Sequence, residues 1–205
     1  MGVYDLILRQ PAAYTLFQRI VGADRVRLRC IDMLRPKAGD RVLDVGCGPA
    51  YYLPRLPEVD YHGFDTEPRY IEHARQRFAH RRAVFHCELF TAAHVARLGQ
   101  FDGIFLLGLL HHLSDEDSAD LLRLAGSALK PGGSIITADP CFYPGQARFD
   151  RFMISRDRGE HVRPLERFTE LARERFDTIE TELLNDVTRI PYTHLAMRLS
   201  NPRAS

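Results

Sequence analysis

Tryptophan is absent from the 205-residue chain, and cysteine and methionine are scarce, at four each. Cys30, Cys47, Cys87 and Cys141 are scattered without Cys-x-x-Cys spacing. That excludes a zinc framework and a small disulfide scaffold, so no metal is expected and the thiols read as reduced. Charge of one sign is missing too: Lys plus Arg number 28 and Asp plus Glu 27, a formal net charge of +1. No overall field then draws the chain to nucleic acid or to an anionic membrane surface. No apolar run approaches the ~18 residues of a spanning helix, and the N-terminus lacks a basic segment followed by an apolar stretch and a cleavage site. Repeats and low-complexity tracts are absent, and Pro and Gly punctuate rather than cluster. These absences leave a cytoplasmic chain with a small-molecule partner, no nucleic acid and no membrane. They do not specify an oligomeric state.

A chain of this length buries about 70% of the surface its unfolded form exposes, enough for one domain over residues 1–205. Leu6 to Leu34 carries helical apolar spacing, interrupted near Pro11 and Gly22, and predicts two helices that stop at "RPKAGD". Strand-like runs then alternate with helical ones. The predicted strands are "RVLDVG" (41–46), "YHGFDT" (61–66), "AVFHCE" (83–88), "FDGIFLLG" (101–108) and "GSIITADP" (133–140). Between them fall the helical segments "PAYYLPRL", "EPRYIEHARQRFAH", "FTAAHVARL" and "SDEDSADLLRLAGSALK". Parallel neighbours need crossover connections, and helices supply them, so the alternation predicts a mostly parallel sheet with helices on both faces. Past residue 160 the pattern changes to one helix, "HVRPLERFTELARERF", and two strands, "DTIETELL" and "THLAMRLS", joined without a helix. That pair is expected to be antiparallel, with Pro191 in the connection.

In an open parallel sheet, ligands bind beyond the carboxyl ends of the strands, where the strand order reverses. The first glycine turn, "VLDVGCGPAY", therefore points at a site. A dinucleotide fold needs a third glycine, and Tyr51 stands there; a P-loop needs Gly-Lys-Ser/Thr, which "GPAYY" does not supply. Pyrophosphate and triphosphate ligands both lose ground. Asp65, about 20 residues beyond Gly46, ends the second predicted strand, where a carboxylate can accept from both hydroxyls of a ribose. Glu88 ends the third and can accept from an adenine amino group. A nucleoside without phosphates fits the set.

At this point the chain resembles the class I S-adenosylmethionine-dependent methyltransferases. The resemblance rests on four motifs in order: "VLDVGCGPA", "GFDTEPRYIEHAR", "FDGIFLLGLLHHL" and "LKPGGSIITAD". They span roughly Asp40 to Pro140, and the C-terminal strands follow the family by topology. The resemblance implies a Rossmann-like doubly wound sheet of seven strands, mostly parallel with an antiparallel C-terminal strand, and S-adenosyl-L-methionine as cofactor. It assigns Gly46 and Gly48 to the methionine part, Asp44 to the turn or the cofactor amino group, and Asp65 with Thr66 to the ribose. Glu88 and Leu89 would flank the adenine, and Leu107 and Gly108 the sulfonium. The family more often has Asp where this chain has Glu88. Within 1–205 the expected division is N-terminal helices forming part of a lid (1–36), a cofactor-binding half (37–140), an acceptor-side insertion and helix (141–175) and C-terminal antiparallel strands (176–205).

Methyl transfer is an in-line displacement at a carbon already activated by the sulfonium, so alignment and exclusion of water do most of the work. His111 and His112, after the fourth strand, are the candidate general bases, with Tyr143 a candidate on the acceptor side. A competing role for the histidines is to orient the loop before Ser114, which with Asp117 forms a capping-box-like helix start. Cys47 reads as a packed residue. Pro140-Cys141 resembles the Pro-Cys of cytosine-5 methyltransferases but follows the fifth strand rather than the fourth. The fourth strand also lacks (Asp/Asn)-Pro-Pro-(Tyr/Phe), which argues against amino-methylation of adenine or of protein glutamine. Acceptor recognition is left to Tyr4, Tyr14 and Phe17, and to 141–163. There Phe149, Phe152 and Met153 share a helical face among Arg148, Arg151, Arg156 and Arg158. The expected function is methyl transfer to a small molecule; the alternatives are methylation of RNA or a protein side chain, or a non-catalytic cofactor-binding protein of the same fold.

Overall fold

The structure, a computed structural model, describes residues 23–185, 187–188 and 190–203. Tyr4, Tyr14, Phe17 and the first of the two expected N-terminal helices lie outside the described residues. The strands are β1 (Arg41–Val45), β2 (Asp60–Phe64), β3 (Ala83–His86), β4 (Phe101–Leu107), β5 (Leu129–Phe142), β6 (Arg163–Pro164), β7 (Phe176–Leu184) and β8 (His194–Pro202). The helices are α1 (Ala23–Leu34), α2 (Pro68–Arg77), α3 (Ala92–Leu98), α4 (Asp115–Ser127), α5 (Arg148–Ile154) and α6 (Leu165–Arg173).

The sheet runs β3-β2-β1-β4-β5-β8-β7, with β6 paired to β5. Every pair from β3 to β5 is parallel, and β8 is antiparallel to both its neighbours, β5 and β7. This is the expected doubly wound sheet with one reversed strand, and β6 is a short addition. Order reverses between β1 and β4, whose registers match Asp44 to Phe105. That crevice is where such sheets bind ligands.

Apolar residues on the two faces make two core layers. On one face, Val26, Cys30 and Ile31 of α1 and Ile71 and Ala74 of α2 pack on Val42, Phe105, Ile136 and Ala196. On the other, Leu122 and Ala125 of α4 and Phe168, Leu171 and Ala172 of α6 pack on Leu43, Ile104, Ile135 and Met197. Burying one such aromatic or aliphatic side chain contributes about 1.5–3 kcal/mol, so these layers hold the strand ends rigidly.

Local chemistry explains the helix starts. Ser114 caps α4 by accepting from the Asp117 N–H at 3.1 Å, and Asp115, Glu116 and Asp117 face the positive end of the helix dipole. Thr91 caps α3, its N–H donating to His94 Nδ1 at 3.0 Å, and Gly99 ends that helix at φ 73°.

Several boundaries differ from the sequence reading, each for a local reason. "PAYYLPRL" forms a single 3-10 turn, Leu53–Arg55, because Pro54 and Pro57 leave too few N–H groups for a longer helix. The third strand stops at His86, so Glu88 lies in the turn beyond it rather than at the strand end. The helix expected from His161 begins at Leu165, since Arg163 and Pro164 are extended and pair with Cys141 and Phe142. The fifth strand is longer than expected, reaching 129–142, because Leu129 pairs with Phe101 of β4 at one end and Cys141 and Phe142 pair with Arg163 and Pro164 of β6 at the other. On α5 the buried residues are Asp150 and Ile154, while Phe149 and Phe152 are 56% and 51% exposed, so the expected apolar face is not the packed one.

Candidate active site

β1 ends at Val45, and the next two N–H groups, of Gly46 and Cys47, both donate to the Phe64 carbonyl at 2.8 and 3.0 Å. This folds the turn over the end of β2. Gly46 and Gly48 have φ of 78° and 54°, a left-handed conformation in which a side chain would be strained. Asp65 then fastens the turn from the neighbouring strand: its Oδ2 accepts from the Gly48 N–H at 2.8 Å and its Oδ1 from the Glu67 N–H at 2.9 Å. Glu67 caps α2, its side chain accepting from the Arg69 N–H, and Thr66 is exposed. Burial raises the Asp65 carboxyl above its ordinary value, and the two N–H donors pull it back. A carboxylate has about four lone-pair sites, so two remain for hydroxyl donors.

Asp44 is 1% exposed and accepts from both tyrosine hydroxyls beside it, Tyr52 at 2.6 Å and Tyr61 at a shorter distance. Burial pushes its carboxyl up to about 6, against the pull of the two hydroxyls. Asp44 thus braces β1 against β2 and the turn from below. Cys47 packs at 5% exposure with its thiol pushed well up by burial, and Cys141 is fully buried with its thiol pushed up to about 12. Neither is poised as a nucleophile.

Across the crevice, Leu107 ends β4 and Gly108, at φ 68°, donates its N–H to the Ala138 carbonyl at 2.8 Å. A Cβ on Gly46 would lie 3.4 Å from Leu109 Cδ1, so the glycine turn and the loop after β4 meet directly. On the β3 side, Glu88 Oε1 is 3.3 Å from His94 Nε2, and Leu89 is 71% exposed. Asp44, Gly46, Gly48, Asp65, Leu107 and Gly108 therefore lie at the carboxyl ends of β1, β2 and β4, with Glu88 and Leu89 beyond the end of β3.

His111 and His112 follow, their rings 4.0 Å apart, but their settings differ. His111 is buried: Nδ1 is 2.7 Å from Asp139 Oδ1, and Nε2 is 3.4 Å from Asp157 Oδ1. Its backbone N–H also donates to Asp139 Oδ1 at 3.1 Å, and its carbonyl accepts from the His161 N–H at 2.9 Å. Asp157 in turn accepts from the Gly159 N–H at 2.6 Å and from the Tyr192 hydroxyl. A Cβ on Gly159 would meet the His111 ring and lie 2.6 Å from its carbonyl oxygen, so an alanine there would push residues 155–160 away from His111. His112 is exposed, and Tyr143 is half-buried where the chain leaves β5.

Sequence reasoning missed Asp139, Asp157, Tyr192 and the pair Asp150–Thr193, in which Asp150 accepts from the Thr193 N–H at 3.0 Å and its hydroxyl at 2.6 Å. Asp139 stands at the carboxyl end of the fifth strand, a position the strand-end rule flags. The others carry no sequence signal, because their partners lie dozens of residues away.

The sheet order, the reversed β8 and the glycine turn define a class I methyltransferase-type fold. Residues 42–133 match the family model described as a methyltransferase domain, and the motifs and sheet order resemble those of the class I S-adenosylmethionine-dependent methyltransferases. It is 32% identical over 130 residues to the 27-O-demethylrifamycin SV methyltransferase of Amycolatopsis mediterranei (strain S699), covering 60% of this chain and 47% of that protein. With the ubiquinone biosynthesis O-methyltransferase of Thiobacillus denitrificans (strain ATCC 25259 / T1) it shares 30% identity over 112 residues, 53% of this chain and 47% of that one. Among solved structures, Haemonchus contortus phosphoethanolamine N-methyltransferase 2, in complex with phosphomonomethylethanolamine and S-adenosylhomocysteine, superimposes with a TM-score of 0.73 at 17% identity. It covers 97% of this chain and 59% of that chain. The chain thus spans about half the length of these two curated relatives. No helix among the described residues is long and apolar enough to cross a membrane.

Proposed function

We propose that the protein transfers a methyl group from S-adenosyl-L-methionine to a small-molecule acceptor by in-line displacement. The observation that carries this reading is the Gly46–Gly48 turn at the point of strand reversal, fastened by Asp65, whose carboxylate keeps two accepting positions for ribose hydroxyls. Leu89, an apolar side chain left 71% exposed beside Glu88, supports an adenine resting on it. The relatives named as methyltransferases of small molecules support the acceptor class.

In this mechanism Gly46 and Gly48 hold the methionine part by backbone groups, with Asp44 bracing the turn. Asp65, with Thr66 beside it, holds the ribose, and Glu88 and Leu89 the adenine. Leu107 and Gly108 line the reacting end. The bound cofactor supplies a methyl group made electrophilic by a positively charged sulfur. Both ring nitrogens of His111 face carboxylates, so His111 acts by holding the loop in place. His112, at the surface of the same loop, is the side chain suited to take a proton from an acceptor hydroxyl or amine, and Tyr143 lies on the side from which an acceptor enters. Residues 1–36, as part of the lid, and 141–175 would close over the acceptor and exclude water.

Methyl-labelled S-adenosylmethionine incubated with the protein and small-molecule extracts is expected to yield a labelled organic product of low mass. Label that stays in the cofactor with every extract, or passes only to RNA or protein, contradicts the proposal.

A further inference from the structure

The segment after β5 sorts its charges. Two of its acids point inward and are consumed, Asp150 by Thr193 and by Gln146 at 3.1 Å and Asp157 by His111, Gly159 and Tyr192, while Glu160 stays exposed outside the groove. Its arginines point outward. Arg148, Arg151 and Arg156 have no carboxylate within ion-pair distance among the described residues, whereas Arg29, Arg163 and Arg203 pair with Glu182, Asp115 and Asp177 at 2.5–2.8 Å. The unpaired guanidinium groups rest on rings instead, Arg151 4.8 Å above Phe142 and Arg156 5.3 Å above Phe152.

Between them lies a groove of about 330 Å³ lined by Phe142, Arg148, Arg151, Phe152 and Ser155. Two cations, two rings and a hydroxyl face it, and no carboxylate does. Phe149 and Phe152 are both of the exposed large aromatic side chains among the described residues, and both lie on this helix. An apolar ring left half in water beside an uncompensated guanidinium is the pairing that recognises a flat organic anion: the ring takes the body, the planar fork takes the anionic oxygens. Asp150, anchored to Thr193, holds α5 to the start of β8, and so fixes the groove relative to the sheet.

We propose that this groove binds the anionic group of an aromatic acceptor, a carboxylate or phosphate carried on an unsaturated ring. The inference rests on the methyltransferase reading for the word acceptor, because the groove opens where β5 leaves the sheet, at the same strand ends as Gly46, Asp65 and Gly108. The binding claim stands on the groove alone.

Calorimetric titration with phenyl phosphate tests it, with inorganic phosphate and phenol as half-probes and S-adenosylhomocysteine titrated in parallel. Phenyl phosphate is expected to bind the full chain at least tenfold more tightly than either half-probe. Arg148→Ala with Arg151→Ala, both at exposed positions, is expected to weaken it at least tenfold, and Phe152→Ala severalfold, with S-adenosylhomocysteine binding unchanged in each. Binding no tighter than inorganic phosphate, or equal binding by the double variant, overturns the proposal. Loss of S-adenosylhomocysteine binding by the unaltered chain would instead remove the methyltransferase reading and leave the phenyl phosphate result to be judged separately.

Discussion

Residues 41–109 and residues 139–194, the latter with His111, meet above the same strand ends but are held there by different means. In the first region backbone makes the site: left-handed glycines, N–H groups of Gly46 and Cys47 on one carbonyl, and one carboxylate, Asp65, receiving two more N–H groups. In the second, side chains do it, through His111 with Asp139 and Asp157, Asp157 with Tyr192, and Asp150 with Thr193. A backbone site accepts one ligand shape and leaves a motif in the sequence. A side-chain site can be rebuilt around another acceptor without disturbing the sheet. The matched family model ends at residue 133, before Asp139, where the second region begins.

The largest effect should come from cutting the second region loose. Asp150→Ala leaves the buried Thr193 N–H and hydroxyl without their acceptor, and each such group costs about 1–3 kcal/mol. We expect a loss of about 3 kcal/mol in denaturant unfolding and faster amide exchange over 143–162, with exchange in β1 and β2 unchanged. Faster exchange in both regions would show that they are one mechanical unit.

Acid should unfold the protein by way of both regions. Burial lowers His86, beside β2, and His194, at the start of β8, from 6.5 to about 4. The unfolded chain gains these protons below pH 6.5 and the folded one only near 4, so stability is lost as pH falls through that window. Asp44, raised from 3.8 to about 6, works the other way, since the folded state takes its proton first and gains stability as pH falls from 6 to 3.8. Two histidines outweigh one carboxylate, and His86 is the weaker of the two because part of its ring meets water. A net loss of about 2–3 kcal/mol between pH 6.5 and 4 is expected from urea titrations. A flat profile would mean that these histidines are not buried neutral.

Asp65→Ala acts on the first region alone. On the proposed reading its removal leaves the ribose hydroxyls, along with the Gly48 and Glu67 N–H groups, without their acceptor, which should weaken S-adenosylhomocysteine binding by about 1–3 kcal/mol while phenyl phosphate binding is unchanged. The smallest effect is expected from Gly159→Ala. Its Cβ overlaps His111, but residues 155–160 can give way at the surface, so about 1 kcal/mol is lost and the exchange change stays within that segment.

What the sequence made legible follows the same division. The sheet, its reversed strand and the placing of Gly46, Gly48 and Asp65 at the strand ends were readable from apolar periodicity and spacing along the chain, and that of Gly108 from the family resemblance. Glu88 was expected to end the third strand but lies two residues beyond it, because a strand's end is set by its neighbour: β3 pairs with β2 only as far as His86. The orientation of α5 was not readable. Its spacing shows an apolar face, but the buried bond from Asp150 to Thr193, 43 residues away, turns that face outward. His111 and His112 are identical neighbours in the chain, and only Asp139 and Asp157 distinguish the clamped one from the exposed one.

The most direct test of the central claim is calorimetric titration of the unaltered chain with S-adenosylhomocysteine. Saturable one-to-one binding at micromolar concentrations, with amide protection gained at Gly46–Gly48 and Asp65, is the expected result. No heat at millimolar ligand, or protection appearing elsewhere, would contradict it.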